Sequence, residues 1–176
     1  MNENEIEKIF QNSACRNELF DAFGDALKSG IRNIELYKIL LANPALSSDE
    51  LEMYSEELVK KLNGNEYDFY IWTGQIFEMG RFKDNTQEKA FHYYVKANRI
   101  KPTTNETLLK ILQLYNYDYE VPINYLIEEI VENRVKFADK KSSVYRKLSE
   151  HFKSKGDLLK SSEYRALAEL SAQREG

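Results

Sequence analysis

Three aromatic residues recur along this chain at a nearly fixed interval. Phe77, Tyr115 and Phe152 close the apolar segments "WTGQIF", "LKILQLY" and "YRKLSEHF", and they stand 38 and 37 residues apart. Each is followed by a bend and a second apolar segment. A near-constant period in the thirties is the mark of a helix-hairpin array, in which each unit buries its apolar face against the next. Independent bundle helices need no such regularity.

The segments between the breakers read as helices. The chain has only 3 prolines and 7 glycines in 176 residues, while Glu, Lys and Leu abound. No segment alternates convincingly as a strand; the run 115–121 ("YNYDYEV") alternates, but it is short and sits between two strong helices. Ten helices of roughly 9 to 17 residues are predicted. Leu19, Phe20, Phe23 and Leu27 form one stripe, and Leu51, Tyr54, Leu58 and Leu62 another. Asn33 and Ser47 or Ser48 start helices; Thr103 and Glu106 have capping-box spacing; Pro122 falls in a first turn. Gly30, Asn63-Gly64 and Gly80 stop helices, as do the approaches to Pro44 and Pro102. Residues 1–64 read as N-terminal hairpins, a degenerate repeat or a cap. Residues 65–176 carry the clearer repeats in one continuous domain. The expected class is all-α, a right-handed solenoid of antiparallel helix hairpins.

Bulk chemistry narrows the partners. The composition is 42% hydrophobic and 31% charged, enough apolar material for a core. A net charge of −4 gives no general attraction to nucleic acid or to anionic membranes. The cluster Lys140, Lys141, Arg146 and Lys147 reads as a solvated helix start. No apolar run approaches the ~20 residues that span a bilayer. Cys15 stands alone, so no intrachain disulfide is possible. The polar, acidic start lacks the features of a leader, and a cytoplasmic location is expected.

Catalytic and metal-binding signatures are missing from the pattern. His92 and His151 have no second His or Cys at i+3 or i+4, and both read as partly exposed surface residues. Cys15 reads as an incidental thiol. Glu128 and Glu129 are adjacent on a helix, diverge by ~100°, and read as a solvated face. No phosphate-binding loop, nucleophile elbow or zinc helix occurs. The expectation is a non-enzyme with no cofactor and no metal.

One stretch, "GQIFEMGRFKDNTQEKAFHYYVKA" (residues 74–97), sets small residues against large ones. Gly74 opens a groove for a second helix, Ala90 and Ala97 lie seven apart on one face of that helix, and Gly80 ends the first helix. Phe77 and Tyr94 fill the space between. Taken in order, Gly74, Phe77, Gly80, Ala90, Tyr93, Tyr94 and Ala97 resemble a tetratricopeptide repeat of the Sel1-like variety, with the extended bend "RFKDNTQ" that such units often have. The last unit, with Leu148, Phe152, Gly156, Tyr164 and Ala168, is similar to an ordinary tetratricopeptide; Ser161 stands where Ala is usual. The resemblance covers residues 66–99 and 144–170. The middle unit departs from it, with large residues at small positions and a proline.

The resemblance implies a concave groove lined by the first helix of each unit, binding a protein or peptide. Carried across position by position, the groove residues are Ile71, Gln75, Glu78 and Met79, then Leu109, Gln113, Asn116 and Tyr117, then Arg146, Glu150 and Lys153. The Lys/Asn set that grips a C-terminal carboxylate in some members is not reproduced. The aromatics Tyr67, Phe69, Tyr70 and Trp72, and Tyr115, Tyr117 and Tyr119, divide between stacked core and half-buried interface. The expected function is therefore a non-enzymatic protein–protein interaction module. The alternatives are a structural subunit that forms homo-oligomers and a peptide-sensing helical regulator.

Overall fold

A computed structural model describes residues 1–176. The chain is all-α, with ten helices: α1 (Glu3–Asn12), α2 (Arg16–Lys28), α3 (Ile34–Ala42), α4 (Ser48–Lys61), α5 (Glu66–Glu78), α6 (Thr86–Ile100), α7 (Asn105–Gln113), α8 (Pro122–Arg134), α9 (Lys141–Ser154) and α10 (Leu158–Glu175). A 3₁₀ turn, Val135–Phe137, follows α8, and there is no strand.

Local signals set most helix ends. Asn2 with Glu5 and Ser47 with Glu50 form capping boxes at α1 and α4. The side chain of Asn33 accepts from the amides of Glu35 and Leu36, and that of Asp157 from Lys160. Pro122 begins α8, where its missing N–H costs nothing. The box expected at Thr103 and Glu106 does not form. Thr104 is the N-cap of α7 without a side-chain bond, and the Thr103 carbonyl instead accepts from the Asp139 amide at 2.8 Å. Gly80 ends α5 at φ +69°, its amide donating to Phe77 O at 3.1 Å. An added Cβ there meets nothing within 4 Å, so the demand for glycine is conformational rather than steric.

The chain forms two compact units, Met1–Tyr93 and Tyr94–Gly176. The boundary falls inside α6. In the first unit α1 packs on α2 and α3, and α3 and α5 pack on each other and on α4. Its core is aromatic: Phe23 meets Tyr54 edge-on at 4.7 Å and Tyr37 at 6.2 Å. Burial pushes both tyrosines up to about 12. The α2 stripe is rotated from its expected position. Leu19, Ala22, Phe23 and Ala26 are buried, whereas Phe20 is 56% exposed and Leu27 only half-buried. Small neighbours at Ala22 and Ala26 let α2 approach on that face instead.

Several polar groups in this unit find partners. Thr73 donates to Ser55 across α5 and α4 at 2.7 Å, with both side chains buried. Trp72 Nε1 donates to Lys38 O at 3.0 Å. Arg81, in the loop after α5, donates to the carbonyls of Ala42 and Asn43, at 2.8 and 2.9 Å, where α3 ends. Gly74, Phe77 and Ala90 are buried as expected, and Phe77 stacks on Tyr93 at 5.8 Å.

In the second unit α7 packs on α8 and α9, and α9 on α10. Tyr94 and Ala97 are buried on α6. The buried Asn98 donates to Thr107 at 2.9 Å and accepts from Arg134. Ser149 and Ser161 exchange hydrogen bonds to each other's carbonyls, at 2.7 and 2.9 Å. This exchange pins α10 to α9.

Candidate functional site

The second unit holds a groove of about 530 Å³ between α7 and α9. Leu109 and Leu112 of α7 form its apolar floor, beside Gln113 at the end of α7 and Tyr117 in the loop that follows. Lys147, Glu150, His151 and Ser154 form its α9 wall. Four of the residues expected from the sequence are therefore together: Leu109, Gln113, Tyr117 and Glu150. Glu150 pairs with Lys147 at 2.6 Å along the rim.

The loop after α7 sets the position of Tyr117. Asn116 Oδ1 accepts from the amides of Asp118 and Tyr119, both at 3.0 Å, closing an Asx turn. Asn124, in the first turn of α8, accepts from the Asn116 amide at 2.9 Å and donates to the carbonyls of Asn116 and Tyr119. Asn116 is thus spent on loop structure rather than offered to the groove. The local alternation of residues 115–121 belongs to this stitched loop.

Behind Tyr117 lies a chain of polar groups that the sequence reading missed. The Tyr117 phenol is 2.7 Å from Nδ1 of His151, whose Nε2 is 2.8 Å from Oε1 of Glu128. Lys155 donates to the same carboxylate oxygen. His151 is 2% exposed, not a surface histidine, and Glu128 is half-buried, not on a solvated face. Tyr115 meets the imidazole edge-on at 4.4 Å, with Lys155 5.4 Å above its own ring. The group joins the α7–α8 loop, α8 and α9.

Its protonation follows from its surroundings. Burial holds His151 below its usual value, against the opposing pull of Glu128. Burial also works against ionised Glu128, but the hydrogen bonds and charges of Lys155 and His151 outweigh it and hold the carboxyl below its usual range. An ionised carboxylate only accepts, so Nε2 carries the imidazole proton. Nδ1 of a neutral ring then accepts from the Tyr117 phenol. Burial raises Tyr117, with Tyr115 and Glu128 adding to it. Tyr117 stays a phenol and remains 55% exposed, so it presents its ring and oxygen lone pairs to the groove.

The other expected residues lie elsewhere. Arg146 and Glu150 border a second depression, between α9 and α10, with Arg165 and Glu169. Lys153 is exposed on α9. Ile71, Gln75, Glu78 and Met79 belong to the first unit; the first two are half-buried and the last two exposed, Met79 by 75%. A third groove, of about 590 Å³, lies between α2 and α4 and was not foreseen; Phe20, Gly24, Leu27 and Met53 line it.

His92 is exposed, with Nδ1 2.8 Å from the Glu88 carbonyl, and Cys15 is exposed at the start of α2. No three His, Cys, Asp or Glu residues come together as metal ligands, and no helix is long and apolar enough to cross a membrane.

Fold and site define an all-helical protein with a largely apolar, polar-rimmed groove on its second unit. No protein-family model, curated protein or solved structure matches the chain.

Proposed function

We propose that this chain is a non-enzymatic helical-repeat module, of the tetratricopeptide/Sel1-like kind, that binds a peptide segment of a partner protein in the α7–α9 groove. The observation that carries the reading is the convergence of Leu109, Gln113, Tyr117 and Glu150 on one groove. Its volume accommodates a few side chains of an extended or helical segment. An apolar floor takes the anchors, and Gln113, Ser154 and the Lys147–Glu150 pair offer rim hydrogen bonds. Support for stacked hairpins is the contact order within each unit, where α1 meets α3, α3 meets α5, and α7 meets α9.

Glu128, His151 and Tyr117 follow the carboxylate–imidazole–hydroxyl order of an acyl-transfer triad. The raised phenol argues for a different use. A nucleophile is activated by an adjacent base or by a lowered pKa; Tyr117 has His151 beside it, but its own pKa is raised by burial. A pinned aromatic with a wet polar edge is instead a binding anchor.

The test is selection of peptides from a displayed random library on the intact protein. Binders are then measured by calorimetry against Tyr117→Ala and Lys147→Glu. A loss of about tenfold or more in affinity for each variant is expected, as for a residue at the edge of a binding hot spot. Binders whose affinity ignores both substitutions would place the peptide site outside this groove.

A further inference from the structure

Helix α10 is apolar on two faces, and only one is used within the chain. On the inner face Ser161 and Ala168 are buried, and Tyr164 stacks on Phe152 of α9 at 5.5 Å. On the outer face Leu167 and Leu170 are 41% and 52% exposed, flanked by the exposed Glu163 and Arg174. At 100° per residue these four fall within about 60° of arc, turned away from Ala168. Their spacing of four, three and four residues is that of a two-helix seam.

Two other charges on this helix have partners in the chain. Lys160 pairs with Glu132 at 3.1 Å, and Glu175 accepts from the amide and hydroxyl of Ser142. Glu163 and Arg174 stand instead at the two ends of the leucine pair.

We propose that this face is a two-fold interface, across which α10 of a second copy of the chain lies antiparallel. The sequence of the seam is self-complementary in that direction. Glu163 and Arg174 lie equally far from the seam's midpoint, as do Leu167 and Leu170. One register therefore sets Glu163 against the partner's Arg174 and Leu167 against the partner's Leu170. The two-fold axis repeats both pairs, giving four leucines between two ion pairs. A parallel arrangement sets Glu163 against Glu163 and Arg174 against Arg174, and the like charges oppose it. The contact is smaller than a standard interface, so the dimer is weak, with a dissociation constant on the order of 100 µM.

The experiment is sedimentation velocity on the whole chain from about 10 µM to about 1 mM, a range that brackets that constant. Wild type is expected to pass from monomer to dimer across the range. Glu163→Arg and Arg174→Glu, each alone, are expected to stay monomeric. An equimolar mixture of the two variants is expected to regain the dimer, because each then faces opposite charges, and the double variant E163R/R174E likewise. A wild type that remains monomeric throughout overturns the proposal. So does a dimer that survives both single substitutions, or a mixture that stays monomeric while circular dichroism shows both variants folded.

Discussion

Nε2 of His151 lies 2.8 Å from Oε1 of Glu128, and the two residues are 23 positions apart, on different helices. The pair explains why a buried histidine is tolerated in this unit. Both ring nitrogens have partners, so burying the ring leaves no unsatisfied polar atom, and the carboxylate it meets is itself held by Lys155.

The same pair is expected to make the second unit acid-labile. Groups facing His151 are Tyr115, Tyr117, Glu128, Glu132 and Lys155. Its folded pKa is lowered from 6.5, so just below that pH the unfolded chain binds the proton more readily than the folded one. This contribution to stability is present above 6.5 and is lost as pH falls toward the lower folded value. Glu128 is lowered from 4.5, and its contribution is present above that pH and lost below it. Thermal melts from about pH 7.5 to about pH 5 are expected to show falling Tm for wild type and a flatter dependence for His151→Gln. Parallel curves would exclude His151 as the source.

Tyr117 separates hydrogen bonding from packing. Tyr117→Phe removes the donor to Nδ1 and is expected to cost about 1 kcal/mol of stability. The ring and its contacts with Tyr115 and His151 survive that change. Peptide affinity is expected to fall less for Tyr117→Phe than for Tyr117→Ala, because the apolar wall is what the groove offers. Equal losses in calorimetry would shift the weight to the phenol oxygen.

The helices were legible in the sequence, because caps, glycine stops and apolar stripes act within a few residues. Leu109, Gln113, Tyr117 and Glu150, named from the sequence, line one groove, whereas Asn116, Arg146 and Lys153, named with them, do not. The polar chain behind that groove was not legible, because Tyr117 and His151 stand 34 positions apart and no local spacing rule joins them. A signal for it did exist. His151 continues the stripe of Val144 and Leu148 on α9, and Glu128 lies on the stripe of Asn124 and Val131 on α8. A titratable residue in a buried stripe demands a partner, and each of these was the other's. Glu129, one position on, is exposed as the ~100° divergence requires.

In the first unit, the hydroxyls of Thr73 and Ser55 are each other's partner in a fully buried setting. Ser55→Ala or Thr73→Val alone leaves one buried hydroxyl without that partner and is expected to cost about 1–3 kcal/mol. The double replacement removes both polar groups and is expected to cost less than the sum of the two. Urea unfolding of the four proteins in a double-mutant cycle measures the coupling, and strict additivity would mean the pair is energetically idle.

The shape of the groove rests on one residue that does not line it. Asn124 makes three hydrogen bonds to the loop, at 2.9, 2.7 and 3.2 Å, and they hold both sides of the bend that carries Tyr117. Asn124→Ala leaves the Asn116 amide and carbonyl without these partners and is expected to destabilise by about 1–3 kcal/mol. Asn124→Asp keeps the acceptor and loses both donors, so it is expected to fall between wild type and the alanine variant. Hydrogen exchange locates the effect. Residues 114–121 are expected to exchange faster in Asn124→Ala while the inner turns of α9 keep their protection, because the loop opens without unfolding the helix behind it. Peptide affinity then falls through misplacement of Tyr117 rather than loss of a contact. Uniform loss of protection across the second unit would instead make Asn124 a determinant of global stability.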